Sequence, residues 1–365
     1  MGARVLHVTF LPLDEGSGGA QKIILDLVNN ANVKGIPSSV VCAHNTPIIN
    51  NSIFPILYSP KNIRLFISIF YFIKLLITWK PTVIHAHYII PSGLIGLLGK
   101  FFRIPVICTS HGEDLQINRQ VNYGYRNNKF LSFVIWFTVQ FLDNVIVVSK
   151  SMISDSIEAG STIHKTQMIY NGIDPGFITS SNKDPKIKTI LYVSRLHPKK
   201  DPMILVDAFK LVLSQINDIH LIIAGEGPMR KNLEDRINHL SLSNDVTLLG
   251  RVSESKKWQL LDSCDVFVLP SKVEAFGIAI IEAMLCKKPV IVSDLEVFHE
   301  IVESERTGLI FRVGDTDDLA NSIIKLLSNN DLSINIGHNA YKLSKDQFST
   351  DKMVKDYIRL YDGLS

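Results

Sequence analysis

Val5-Leu6-His7-Val8-Thr9-Phe10, then a loop ending in Gly16-Ser17-Gly18-Gly19-Ala20, then a helix-spaced run from Gln21 to Asn30 set a pattern that the rest of the chain repeats. A near-continuous apolar run reads as a strand buried on both faces, because a strand with one wet face would alternate apolar and polar residues. The same pattern returns at 39–43, 83–87, 106–109 and 144–148, with longer helical stretches between. Strands of this kind predict a doubly wound parallel sheet. The breaker-rich polar segment 174–185 reads as a linker. The pattern then restarts at 189–193, 220–224, 246–249, 266–269 and 289–292. The expected fold class is α/β, with two Rossmann-like doubly wound parallel-sheet domains facing an interdomain cleft. Their expected bounds are 1–180 and 181–345, followed by a helical segment over 346–365.

Composition narrows the function. Of 365 residues, 46% are apolar and 20% charged, which excludes a disordered or collagen-like chain. A formal net charge of +3 is too small for a dedicated nucleic-acid binder, so no nucleic-acid partner is expected. Residues 1–180 hold 14 Lys+Arg against 9 Asp+Glu, whereas residues 181–365 hold 24 against 26. The basic first half is the one expected to face an anionic partner. Cys42, Cys108, Cys264 and Cys286 lie far apart and form neither a zinc pattern nor a disulfide framework, which fits a reducing compartment. The first residues run straight into a strand without a signal-peptide pattern. The most apolar stretch, 63–79, contains Arg64 and Lys74 and falls short of the ~20 uninterrupted apolar residues that span a bilayer. A cytoplasmic protein is expected.

Ligands of such sheets sit beyond the carboxyl ends of the strands, so the chemistry belongs to the loops there. The Gly16–Ala20 loop precedes a helix, and its amides can accept a phosphate or sugar hydroxyl; alternatively its glycines serve a turn alone. It is no dinucleotide fingerprint, because Gln21 stands where glycine is needed. His111 can donate into the cleft or be structural. His85 and His87 are expected to turn their rings to opposite faces of a strand, and no third ligand is apparent, so no metal is expected there. Arg195 offers a planar fork for phosphate and Lys200 a mobile point charge, a solvated surface cluster being the alternative. Gly225-Glu226-Gly227-Pro228 reads as a tight turn that admits a ring or ribose to the backbone. Glu274 falls in a loop, and a helix should start near Gly277, so amides of Phe276, Gly277 and Ile278 would face a pyrophosphate. Glu282, among Ile280, Ile281, Ala283 and Met284, needs a partner if buried, and a ribose diol would serve.

Together, the Glu274…Glu282 spacing, the Arg195 and Lys200 pair, the Gly225–Pro228 turn and Asn171-Gly172-Ile173-Asp174 resemble glycosyltransferase family 4, retaining nucleotide-sugar-dependent enzymes of the GT-B fold. The likeness spans the chain. It is strongest over 192–315 and rests in the first half on Gly18-Gly19, His85-Ala86-His87-Tyr88 and His111-Gly112-Glu113-Asp114. It implies that Arg195 and Lys200 neutralise the leaving diphosphate, that Glu274 contacts donor-sugar hydroxyls, and that Glu282 holds the ribose. Phe276, Gly277, Ile278, Gly225 and Gly227 would belong to the donor site, with Arg251 and Val252 near the base. His111 would approach the donor sugar and its phosphate, Gly19 the diphosphate, while Gly18 and His87 would lie on the acceptor side. The final segment would cross back onto the first domain. Two departures stand out: Asp201 follows the motif lysine, and Lys287-Lys288 precede Pro289, where relatives commonly carry glycine.

The implied reaction is a hexosyltransferase-like transfer of class EC 2.4. Fixed cations and helix amides would stabilise the departing nucleotide without a metal, so no cofactor is expected beyond the nucleotide sugar, a UDP sugar ahead of a GDP sugar. Retention by front-face attack is implied, which makes the two glutamates binders and not a glycosidase pair. The literal Asp-x-Asp, Asp315-Thr316-Asp317, reads as a helix cap. Residues 62–80 and 97–103 mix aromatics with Arg64, Lys74, Lys80, Lys100 and Arg103. They suit either a buried helix or peripheral docking on the inner, anionic face of the plasma membrane. The latter fits a glycan or lipid-linked acceptor in cell-surface polysaccharide synthesis, of lipopolysaccharide or capsule. A phosphorylase of similar fold and an inactive nucleotide-sugar-binding partner are the competing functions. The retained Arg195 and Glu274 argue against the inactive partner, and the lack of a long second-domain insertion argues against a pyridoxal-phosphate phosphorylase.

Overall fold

A computed structural model describes residues 2–13, 18–43, 52–57, 65–175 and 187–365. The chain forms two compact units: unit 1 is Met1–Gly172 with Thr350–Ser365, and unit 2 is Ile173–Ser349. The first division falls ahead of the breaker-rich segment, of which 176–185 lies outside the described residues. The second falls at 350 and not 346, because the helix Asn330–Gln347 of unit 2 runs on that far.

Unit 1 carries β1 (Val5–Val8), β2 (Ser38–Ala43), β3 (Ile53–Leu57), β4 (Val83–His87), β5 (Val106–Ser110), β6 (Asn144–Val147) and β7 (Thr166–Met168). They form a sheet in the order β3-β2-β1-β4-β5-β6-β7, every pair parallel. Along β1, β4, β5 and β6 every residue is buried, as strands covered on both faces require. Unit 2 carries β8 (Lys188–Val193), β9 (Ile219–Ala224), β10 (Val246–Gly250), β11 (Val266–Leu269), β12 (Val290–Ser293) and β13 (Leu309–Phe311). Their order is β10-β9-β8-β11-β12-β13, again parallel.

Three strands were not expected from the sequence: β3, β7 and β13, and all three are sheet edges. An edge buries less, so its apolar signature is weak. β3 even contains Pro55, tolerated because an edge strand has one row of amides without ladder partners.

Strand order reverses between β1 and β4 in unit 1 and between β8 and β11 in unit 2. At such a reversal the flanking loops part and leave a crevice at the carboxyl ends. The residues after β1 include Gly18 and Gly19, β4 ends in His87, Arg195 and Lys200 follow β8, and Glu274 follows β11.

The helix Thr350–Asp362 packs into unit 1, burying Met353, Val354, Tyr357 and Tyr361, and Asp351 pairs with Lys34 at 2.6 Å. The helix Leu65–Trp79 is covered on one side only: Phe72 and Leu76 are buried, while Phe66, Phe70, Tyr71 and Ile77 are exposed. Positions 62–64 lie outside the described residues. A second helix, Lys129–Phe141, exposes Phe130, Phe133, Trp136, Phe137 and Phe141. Among the described residues no helix is long and apolar enough to cross a membrane. Asp315 caps the helix Thr316–Ser328, its carboxylate accepting the Asp318 N–H at 2.9 Å. All four cysteines are buried and free.

Candidate active site

In unit 2 the loop after β8 turns through His197, whose ring Nδ1 accepts the Lys199 N–H at 3.3 Å. This places Lys200 against the loop after β11, and the Lys272 N–H donates to Lys199 O at 2.8 Å to tie the two loops together. Lys200 Nζ forms an ion pair with Glu274 Oε2, both side chains being nearly buried. Burial pushes the Glu274 carboxyl up. The Lys200 charge and hydrogen bond, with Lys199 and the Ala275 N–H, more than offset that and hold it below the usual carboxylate range. Arg195 is exposed and makes no ion pair among the described residues. The loop therefore presents one open guanidinium and one ammonium that the Glu274 carboxylate steadies.

Gly277 opens the helix Ile278–Leu285 from the left-handed region at φ +93°. A Cβ there would stand 3.0 Å from the Phe298 ring, so glycine is required by both backbone and space. Phe276, Gly277 and Ile278 thus lie at a helix N-terminus that follows a strand, an arrangement suited to an anion.

Glu282 is buried, but its partner is protein. Lys257 Nζ, from the helix Glu254–Ser263, sits 2.5 Å from Glu282 Oε1 and 2.9 Å from Glu254 Oε2. Burial alone would lower the Lys257 ammonium; Glu282 and Glu254 outweigh it and raise its pKa. The sequence reading took a ribose diol as the needed partner and missed Lys257, which lies in a polar helix with no motif around it. Arg251, exposed, and Val252, half-buried, link β10 to that helix.

Gly225 and Gly227 are glycine for a reason internal to the fold. A Cβ on Gly225 would lie 1.9 Å from Ser194 O, and one on Gly227 2.3 Å from Leu196 O. The turn after β9 is pressed against the Arg195 loop and fixes its course. The two departures from the family pattern also resolve. Asp201 has φ +42° and Lys287 φ +57°, the backbone region where glycine is easiest. The Asp201 carboxylate is neutralised by Lys272 at 2.7 Å and does not compete for Lys200.

In unit 1, Gly18 and Gly19 are exposed where the helix Gly19–Val33 begins; Gly16 and Ser17 lie outside the described residues. His87 and His111 come together, His87 Nδ1 to His111 Nε2 at 3.3 Å. The expectation that His85 and His87 face apart is overturned. Their ring centroids are 4.3 Å apart, because residues two apart on a strand share a face. A third histidine joins them: register pairs His7 of β1 with His85 of β4, and His7 Nδ1 lies 3.1 Å from His87 Nε2. His85 binds Tyr361 OH through Nδ1 and Thr109 Oγ1 through Nε2, each at 2.7 Å.

His7, His85 and His87 offer ligand nitrogens within 4.8 Å of one another. A tetrahedral zinc with bonds of ~2.05 Å needs them about 3.3 Å apart. Both nitrogens of His85 are already engaged, so the cluster as built is a hydrogen-bonded one. Burial pulls His7 down to about 3 and His111 to about 4. Burial, reinforced by neighbouring histidines, puts His85 and His87 well below the usual value. All four are neutral at pH 7. Beside them Asp114 accepts the Ile89 N–H at 2.7 Å and the Ser110 hydroxyl at 2.5 Å. Burial raises it to about 6 despite those bonds.

Comparison with known proteins identifies the family and the fold. Residues 177–343 match the family model "Glycosyl transferases group 1", and residues 17–177 match "Glycosyltransferase Family 4". An uncharacterised glycosyltransferase of Methanocaldococcus jannaschii is 30% identical over 284 residues, covering 78% of this chain and 76% of the relative. The N-acetyl-alpha-D-glucosaminyl L-malate synthase of Bacillus anthracis is 28% identical over 291 residues, covering 76% and 74%. Among solved structures, sucrose-phosphate synthase from Thermosynechococcus elongatus superposes with a TM-score of 0.82 at 20% identity, covering 99% of each chain. The Anabaena protein HepE in complex with UDP-glucose superposes with a TM-score of 0.82 at 21% identity, covering 99% of this chain and all of that one. The fold is GT-B.

Proposed function

Because the chain belongs to glycosyltransferase family 4 and is a transferase of class EC 2.4, we propose that it moves a sugar from a UDP sugar to a glycan or lipid-linked acceptor in cell-surface polysaccharide synthesis, with retention and without a metal. The observation that carries this reading is the buried Lys200–Glu274 pair beside the helix that opens at Ile278. It joins a cation suited to a departing phosphate and a carboxylate suited to sugar hydroxyls. As the sugar–phosphate bond breaks, negative charge grows on the leaving diphosphate; Lys200, Arg195 and the helix amides meet it, fixed in place beforehand. Glu274, kept ionised, accepts from donor-sugar hydroxyls, and Glu282, steadied by Lys257, from the ribose. The choice of UDP is supported by the UDP-glucose bound to HepE, which has the same fold.

A thermal-shift series with UDP, GDP and ADP, each with EDTA, tests the donor. A nucleotide at 100 times its Kd adds about 2.7 kcal/mol of stability. Stabilisation by UDP alone is expected, and a preference for GDP or a need for metal would defeat this reading. Product anomers read by NMR test retention. In the same reading, the exposed aromatics of Leu65–Trp79 and Lys129–Phe141 rest on an anionic bilayer. Flotation with anionic but not neutral liposomes at low salt is expected, and failure to float would remove the membrane from the proposal.

A further inference from the structure

We infer that His7, His87 and His111 share one hydrogen-bond direction that presents His111 Nδ1–H as a fixed donor, His7 and His87 being the positioning residues that set it. A neutral imidazole has one N–H and one lone pair. The contact of His111 Nε2 with His87 Nδ1 at 3.3 Å and that of His87 Nε2 with His7 Nδ1 at 3.1 Å each need one of both. The three rings must therefore carry their hydrogens on the same type of nitrogen, all on Nε2 or all on Nδ1.

The far end of the chain decides between these. His7 Nε2 is buried and has no hydrogen-bond partner among the described residues. His85, the neighbour in register, has both nitrogens committed to Tyr361 and Thr109. With every hydrogen on Nε2, His7 would bury an unpaired N–H. With every hydrogen on Nδ1, it buries only a bare nitrogen. Unpaired buried N–H groups are the rarer of the two in folded proteins. In the second arrangement His7 Nδ1–H donates to His87 Nε2, His87 Nδ1–H donates to His111 Nε2, and His111 is left with Nδ1–H to offer a ligand. The same blind end stops the three rings from passing a net proton onward, since no described group beyond His7 is placed to give or take one. His111 is thereby a hydrogen-bond donor and not a general base. Its use on a donor-sugar hydroxyl or phosphate rests on the function proposed above, whereas the tautomer does not.

The test is two-bond ¹H–¹⁵N correlation of the full chain labelled with [¹⁵N]histidine at pH 7, with His111 assigned by its disappearance in His111→Gln. A protonated Nδ1 and a bare Nε2, widely split, are expected for His111. His7→Leu should collapse that splitting toward averaged tautomers and cut kcat/KM about tenfold. His7→Asn, which can still donate to His87, should restore both. A bare Nδ1 on His111, tautomer averaging in the parent protein, or an unchanged spectrum in a folded His7→Leu would each overturn the inference. If His7→Leu does not fold, the parent spectrum still decides the direction. Stoichiometric zinc perturbing His7, His85 and His87 together would replace the inference with a metal site. If the splitting appears as expected but His111→Ala turns over normally, the tautomer stands and the catalytic reading of His111 falls.

Discussion

At the strand-order reversal of unit 1 the polar groups are mostly neutral: three buried imidazoles with the half-buried His111 beside them, the hydroxyl of Thr109 and the phenols of Tyr357 and Tyr361. At the reversal of unit 2 they are ammonium–carboxylate pairs, Lys200 with Glu274 and Lys257 with Glu282. The sheets are alike, yet one holds hydrogen-bond direction and the other holds charge. Neutral groups can grade a hydroxyl-rich ligand without repelling or trapping it. Fixed ions suit a ligand whose own charge changes during the reaction. The two sites should therefore fail under different challenges.

Acid should separate them most. The four histidines have folded pKa values depressed below the unfolded 6.5. Their stabilisation is complete above that value and is lost progressively as pH falls below it. Each pH unit below 6.5 costs about 1.4 kcal/mol per histidine. Asp114 opposes them, because its carboxyl is raised to about 6 and its protonation below that favours the fold. Unit 1 should therefore lose stability between pH 7 and pH 5, with Asp114 offsetting part of that loss. Glu274, held low, keeps its contribution until pH falls below 4.5, so unit 2 should hardly respond. Urea titrations at pH 7 and 5, read from Trp136 and Trp258 in single-tryptophan variants, would show the split; equal loss in both units would erase the contrast.

Substitution should strike the other side. Lys200→Met is expected to lower kcat ~10²–10³-fold, the loss typical of one preorganised charge-stabilising group. It should also destabilise unit 2 by about 3 kcal/mol, because Glu274 is left buried without its cation. Adding Glu274→Gln should recover most of the stability and none of the turnover, as steady-state kinetics beside urea melts would show. Lys257→Met should cost about 3 kcal/mol on the same ground and raise the Kd for UDP about tenfold, or 1.4 kcal/mol. Calorimetric titration reads the second number, and an unchanged Kd would detach Glu282 from the nucleotide. The smallest change is expected at Asp201→Gly, where relief of the left-handed backbone and loss of the pair with Lys272, whose ammonium is partly exposed, nearly cancel, within about 1 kcal/mol.

The sequence disclosed most of what the sheets need and little of what the sites need. Interior strands announce themselves because burial on both faces forces unbroken Val/Ile runs; edge strands such as β3 and β7 have no such constraint. Loop residues with a fixed order, Arg195, Lys200, Glu274 and Gly277, were legible since each follows a readable strand end. Lys257 and Lys272 were not, because each meets its partner through tertiary packing between loops and helices with no local pattern. His7 was visible inside the first strand, and its link to His85 and His87 needed only the adjacency of β1 and β4 in a doubly wound sheet. The error over His85 and His87 was one of parity: positions separated by a single residue share a face. The aromatic face of Lys129–Phe141 went unread because an apolar run says nothing of which side is covered.

The helix Thr350–Asp362 supplies Tyr361 to His85 and Tyr357 to Thr109, yet it is translated only after all of unit 2. A ribosome therefore releases the 173–349 region with its strands and helices in hand while the earlier-made sheet still awaits two phenols. Until those arrive, His85 lacks its Tyr361 partner, and an interior that forms early waits for the synthesis of some 180 further residues, about ten seconds or more at ordinary elongation rates. The half of this molecule that is made first is the half that is finished last.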